Sequence, residues 1–540
     1  MYTFLIGIAI LIVGGFIYTN ILQKIFKTNS KNRTIAFIKK DNVDYVPMNK
    51  WRNAFVQFKS IAATGPILGP IQGIIFGPIV FLTIPLGNIL GGIVHDTYSG
   101  LISMRNGGAQ TPEMIRRFLG KIVYFILFIL IVVLSLLVGA VFITMPAKLI
   151  IGQIEHAPTD VSSLASNWVL WLVILIIFAY YVVATVFPIH TIIGKLYPAL
   201  SIILMTGTVI LFIGACTHHP ESMPDIWNVN YDSFASGGIG LINPATGHFV
   251  PLIFVTITCG MVSGFHSTQS TIVGRTVKNE KDTKLAFSYP MILEGVVSMI
   301  WAFIALEMFS KYGREPFNPQ AGGISQTNYA VWLQDPTQLI GSAAHKLLWG
   351  QSWLAIFIIL VVCMEAVTVG DTSLRSCRLI CAEHFKVKQK SMRKRLLVAG
   401  PIFAITAGLM FFGLFMPSGF NYLWRYFAWT DQTTVAFTFA FITIYLIRKY
   451  EFYWVALLPG AFYAFVSASF IIGSNTQGIN AFVDETHQWI GWVVAYVIGG
   501  LVAAGYIAGL MTYGLKSRKN PHVFVEEKQT QVRDASNKIH

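Results

Sequence analysis

Residues 258–271 read TCGMVSGFHSTQST and sit inside the apolar segment 249–273, FVPLIFVTITCGMVSGFHSTQSTIV. Glycine weakens a helix, and a weakened helix frees backbone amides and carbonyls. In hydrocarbon such groups are tolerated only where they line a cavity or are buried in protein. If the surroundings are lipid, these residues predict a membrane helix opened at mid-depth beside a polar ligand.

The rest of the chain says the surroundings are lipid. Of 540 residues, 54% are hydrophobic and only 12% are charged, with a mean hydropathy of +0.61. Soluble domains carry about a quarter charged residues. Apolar runs of roughly 20 residues, the length that crosses a bilayer as helix, recur throughout. Thirteen spans are read: 2–25, 61–82, 84–104, 122–145, 168–188, 198–216, 249–272, 287–310, 351–371, 396–416, 426–447, 454–473 and 489–513. The first lacks a basic leader and a cleavage motif, so it reads as a retained helix.

The net charge of +14 is a topology marker rather than a nucleic-acid footprint. Placing residue 1 outside puts 34 of the 39 Lys and Arg on one side, among them the whole segment 26–60. That asymmetry predicts an outer N-terminus and a cytoplasmic C-terminus. No basic stripe interleaved with aromatics supports a nucleic-acid partner. The five cysteines form no disulfide framework, and His218 and His219 lie adjacent on one loop, so neither a metal nor a cofactor is expected. No HExxH, P-loop or nucleophile elbow is present, and no catalytic residues are named.

Five spans before the opening stretch lies AATGPILGPIQGIIFGP, with Gly65, Pro66, Gly69, Pro70, Gly73, Gly77 and Pro78. Two Gly/Pro-interrupted helices at equivalent places in two five-helix halves point to an inverted-repeat transporter. Five is odd, so the halves face opposite ways. Gly73 and Gly77, four apart, fit close helix packing. Thr64, Gly65, Pro66 and Gly69 are read with Ser263, Gly264, Phe265, His266, Ser267 and Gln269 as substrate contacts.

Ionisable groups inside spans are costly and mark function by default. Asp96, His266, Glu294, Asp371 and Thr372 are read as proton or cation coupling residues, His266 because imidazole titrates near neutrality. His95 is expected to pair with Asp96 or a backbone carbonyl, and Glu307, near a helix end, to reach water.

These motifs resemble one known group. FKSIAATGPILGP, GNILGGIVHDTYSGLISMRNGGAQTPEMI, FVTITCGMVSGFHSTQS, YPMILEGVVSMIWA, WRYFAWTDQTTVAFT and KYEFYWVALLP are similar to the carbon starvation protein (CstA) family of peptide transporters, over most of residues 50–470. The resemblance implies an all-α polytopic membrane protein of the amino acid–polyamine–organocation type. About 13 transmembrane helices would form two inverted five-helix repeats, plus one N-terminal and two C-terminal helices. It divides the chain into an N-terminal helix (1–27), a CstA-like transporter region (28–390), a C-terminal region (391–515) and a disordered cytoplasmic tail (516–540). The implied function is ion-coupled import of peptides across the bacterial cytoplasmic membrane during carbon starvation, with proton or sodium as coupling ion. Pyruvate/proton symport is the alternative substrate reading, and a membrane-embedded nutrient sensor or scaffold is the alternative of another class. The chain departs from the family pattern at Thr271, where proline is common, and at Asp431, where asparagine is usual.

Overall fold

Hydrocarbon offers no hydrogen-bond partners, so each apolar run closes its backbone on itself as a helix. The computed structural model describes residues 1–40, 45–62, 64–154, 167–186, 189–218, 223–227, 242–243, 247–316, 327–328, 331–332, 335–387, 389, 391–416, 419–475 and 478–519. These are nearly all helical, apart from one pair of two-residue strands, Ile242–Asn243 against Gly247–His248. The expectations for His219 and for tail residues 520–540 lie outside the described residues.

The first half contains α1 (Tyr2–Ile25), α2 (Lys50–Ile61), α3 (Gly65–Gly73) and α4 (residues 80–105). A short α5 (Thr111–Leu119) precedes α6 (Lys121–Ile154), α7 (Trp168–Val186) and α8 (Ile189–Thr217). Then come α9 (Phe249–Thr256), α10 (Gly264–Gly274), α11 (Tyr289–Tyr312), α12 (Pro336–Lys346) and α13 (Ser352–His384). α14 (Met392–Phe415), α15 (Gly419–Arg448), α16 (Trp454–Gly473) and α17 (Gln488–Lys519) follow.

Among the described residues, ten helices are long and apolar enough to cross a membrane, against thirteen expected spans. Three local features account for the difference. The second and third spans merge into one helical stretch, Gly65–Arg105. The fifth shortens to the apolar helix Trp168–Ala184, and the seventh divides into α9 and α10. The merged stretch bends at Gly77, whose φ of 72° and ψ of −159° lie in a region essentially reserved for glycine. Gly77 therefore supplies a backbone turn rather than the packing surface its spacing suggested. Gly73 does pack: a Cβ there would lie 2.5 Å from Ile257 Cγ1. Gly77→Ala should cost about 1–3 kcal/mol, read as a lower unfolding midpoint in detergent. An unchanged midpoint would show that the bend tolerates a side chain.

A second difference matters more for the site. The segment 26–60 was expected to be a basic inner loop, yet residues 50–61 form α2, capped by the Asn49 side chain, which accepts from Trp51 N at 3.0 Å. Its Asn53, Gln57 and Lys59 are buried. α2 packs against α8, α10 and α11, inside the bundle rather than outside it.

Burial sorts the remaining helices. In the most apolar window of α11 and of α15, 89% of residues are buried inside the protein, against 11% for α17. The first two are core helices, and α17 presents its apolar side chains to lipid. α6 and α13 lie along each other and join the two halves.

Candidate functional site

Both Gly/Pro-interrupted helices are broken, and they break the same way. α2 ends at Ala62 with ψ 64°, and α9 ends at Ile257 with ψ 65°. In the first, Pro66 sits in the opening turn of α3, where its missing N–H costs nothing. The break itself lies at Ala62, before α3 begins at Gly65. In the second, residues 257–263 are non-helical or turn, and Gly260 adopts φ +90°. A Cβ on Gly260 would lie 2.6 Å from Ser298 Cβ. The breaks touch each other. A Cβ on Gly65 would lie 2.5 Å from Cys259 Cβ, and one on Gly69 would lie 3.1 Å from Thr256 O. The small residues of α3 thus make the surface on which the second break rests.

At this crossing lies a fully buried ionisable cluster. His266, in the first turn of α10, has Nδ1 3.4 Å from Asp96 Oδ2 on α4 and Nε2 3.5 Å from Glu294 Oε1 on α11. Asp96 is also held by His95 Nδ1 at 2.9 Å and by Gln57 Nε2 at 3.4 Å. Glu294 Oε1 accepts from Gly260 N at 3.1 Å. None of these side chains is exposed. Buried polar groups are normally satisfied, yet neither nitrogen of His266 makes a hydrogen bond of good geometry, and Glu294 Oε2 has no partner. Three of the five expected coupling residues therefore meet at one point.

The N-terminus of α10 is closed by an acid from another helix. Asp431 Oδ1 on α15 accepts from Ser263 Oγ and from Phe265 N, both at 2.9 Å. An anion at a helix N-terminus satisfies free amides and the helix dipole together. Gly264 permits the approach: a Cβ there would meet Thr434 Cβ at 2.5 Å. The other expected contacts are occupied locally. Ser267 Oγ donates to Gly264 O, and Gln269 Nε2 donates to Thr268 Oγ1. Thr64, before α3, is buried, and its Oγ1 has no partner.

Asp371 and Thr372 belong to a second network. Arg375 Nη2 donates to Asp371 Oδ1 at 2.8 Å, one turn along α13, and Thr372 Oγ1 is 2.6 Å from Tyr197 OH. Beside them Lys59 Nζ lies 2.7 Å from Glu365 Oε2 and 2.5 Å from Thr368 Oγ1, with Lys59 and Glu365 almost wholly buried. The sequence reading counted Lys59 among loop charges and so missed it. The signal that could have found it is the spacing of Asn53, Gln57 and Lys59 on a single short helix. Glu307, expected to reach water, is instead fully buried, because α11 lies in the core.

A separate cavity of about 520 Å³ opens between the α4–α5 turn and the end of α13, lined in part by Asn106, Arg116, Arg117, Arg275 and Glu383. Burial pushes the nearby Glu113 carboxyl up. Hydrogen bonds from Arg116 and Arg117 outweigh burial and hold it below the usual carboxylate range. Arg116 and Arg117 are already paired with Glu113 and Arg275 with the Gly108 carbonyl, and none of the His266 cluster lines this space. The convergence of buried, unsatisfied groups, not open volume, identifies the candidate site.

The family model for the carbon starvation protein CstA matches residues 1–162 and 147–332. An uncharacterized membrane protein of Haemophilus influenzae is 35% identical over 59% of this chain and 93% of its own length. The peptide transporter CstA of Bacillus subtilis is 24% identical over 84% of this chain and 86% of its own. The pyruvate/proton symporter BtsT of Escherichia coli is 28% identical over 52% of this chain and 45% of its own. Among solved structures, a mutant form of the manganese transporter of Eremococcus coleocola superposes with a TM-score of 0.55. It covers 86% of this chain and 94% of its own at 12% identity, a likeness of fold alone.

Proposed function

The chain belongs to the carbon starvation protein CstA family, a membrane transporter family, and on that premise we propose that it is a proton-coupled importer of small peptides. The carrying observation is the imidazole of His266, held without good hydrogen bonds between two buried carboxylates where two broken helices cross. A group able to bind and release a proton, in a place that must open for a ligand to pass, links protonation to opening.

The architecture we propose is two inverted five-helix repeats, with α1 before them and α16 and α17 after. The first runs from α2/α3 through α4, α6 and α7 to α8. The second runs from α9/α10 through α11, α13 and α14 to α15. The matching breaks support this, as do the equivalent long helices α6 and α13, of 34 and 33 residues. The charge asymmetry supports an outer N-terminus in the bacterial cytoplasmic membrane.

The substrate is a carboxylate-bearing nutrient that meets the first turn of α3, around Thr64, Gly65, Pro66 and Gly69. The N-terminus of α10 already holds Asp431, whereas no side chain caps α3 and the Thr64 hydroxyl beside it has no partner. Peptides are favoured by the Bacillus relative, which is similar over most of both chains. Pyruvate is the second reading, favoured by the Escherichia symporter. Lys59 supports proton over sodium. Its ammonium occupies the oxygens of Glu365 and Thr368 that an alkali ion bridging α2 and α13 would need.

In proteoliposomes, an inward proton gradient should drive labelled di- or tripeptide to accumulate, and sodium in its place should not. Uptake indifferent to the proton gradient would sink the coupling. Accumulation of pyruvate and not of peptides would move the assignment to the second reading.

A further inference from the structure

Cys259, His266 and Glu294 come from the second break, the first turn of α10 and α11, and no ligand spacing in the sequence joins them. In the structure they are fully or almost fully buried, and one ligand atom from each lies within 4.8 Å of the others. We propose that they form a binding site for one divalent transition ion of the zinc class. The inference goes beyond the transport reading and does not rest on it: an ion on His266 Nε2 and a proton there are alternatives, so coupling through His266 belongs to the metal-free protein.

Tetrahedral zinc bonds of about 2.0–2.3 Å place neighbouring ligand atoms roughly 3.3–3.6 Å apart. His266 Nε2 and Glu294 Oε1 already stand 3.5 Å apart. The Cys259 Sγ, within 4.8 Å, has at most about 1.5 Å to close, and it lies in non-helical backbone. A thiolate, an imidazole and a carboxylate together select zinc-like ions over magnesium or calcium, and three ligands leave a fourth position open.

The surroundings are those a metal ligand needs. The other ring nitrogen of His266 faces Asp96 Oδ2 at 3.4 Å, the carboxylate–histidine–metal arrangement that fixes ring orientation. Asp96 is itself held by His95 and Gln57. Gly260 N braces Glu294 Oε1 and leaves Oε2 unpartnered. An imidazolium would satisfy the two carboxylates without a metal, but it has no use for a thiol. Cys259 separates the two arrangements.

The full chain, purified in detergent and stripped with chelator, is loaded with Co²⁺ as probe, and also produced in Co²⁺-containing medium so that burial does not bar access. One Co²⁺ per chain should bind with a thiolate charge-transfer band and four-coordinate visible bands, and Zn²⁺ should displace it. Cys259→Ser, nearly isosteric, should abolish the charge-transfer band. Asp96→Asn should weaken affinity about 10–100-fold. Wild-type protein without the thiolate band, or a band that survives Cys259→Ser, overturns the site. The spectra need no uptake, so failure here leaves the transport proposal standing, and failed uptake leaves this one standing.

Discussion

His266→Ala abolishes concentrative uptake while the protein remains folded: that is the result expected first. Without the ring, Asp96 and Glu294 face each other in the bundle with their shared partner gone. Removing one member of a buried charged group leaves the others uncompensated, at a cost of about 3–5 kcal/mol. The cost falls on the arrangement in which the ring lies between the two acids, so proton-driven accumulation should drop by roughly two orders of magnitude or more. Exchange of labelled for unlabelled substrate, which needs no net proton movement, should fall less. His266→Gln keeps a hydrogen-bonding group without the titration, and it should be uncoupled but better folded. Wild-type accumulation by His266→Ala across the pH range would remove the residue from the mechanism.

The second large effect concerns Lys59 and Glu365. Lys59→Met leaves a carboxylate buried without its cation, and Glu365→Gln leaves an ammonium without its anion. Each single change should destabilise by about 3–5 kcal/mol, whereas the double change should recover much of the loss, because a buried ion pair is worth little over neutral neighbours of similar volume. Unfolding midpoints of the four proteins in detergent form the cycle. Additive losses would show that the two side chains do not act as a pair.

Much of this fold could be read in advance because lipid imposes a simple rule. Apolar runs of bilayer length became helices, and the glycines and prolines at 65–70 and 258–264 marked real breaks. What escaped was governed by other forces. α2 is amphipathic, and its Lys50, Arg52 and Lys59 look like loop charges to any search for apolar runs. Only tertiary packing against α8, α10 and α11 buries its polar face. Asp431 closes the N-terminus of α10 from 166 residues away in sequence, a contact no local pattern encodes. Asp371 was readable, since Arg375 follows it by one helical turn and such pairs meet. The trio at Cys259 depends on how one non-helical segment folds back over α11.

The short helix α2 carries Gln57 and Lys59 two positions apart, about 200° around its axis. One side chain is tied to Asp96 and Ser270, the other to Glu365 and Thr368. A lever clamped on both flanks cannot tilt by releasing one clamp alone. Any tilt of α2 therefore has to break contacts on both of its flanks.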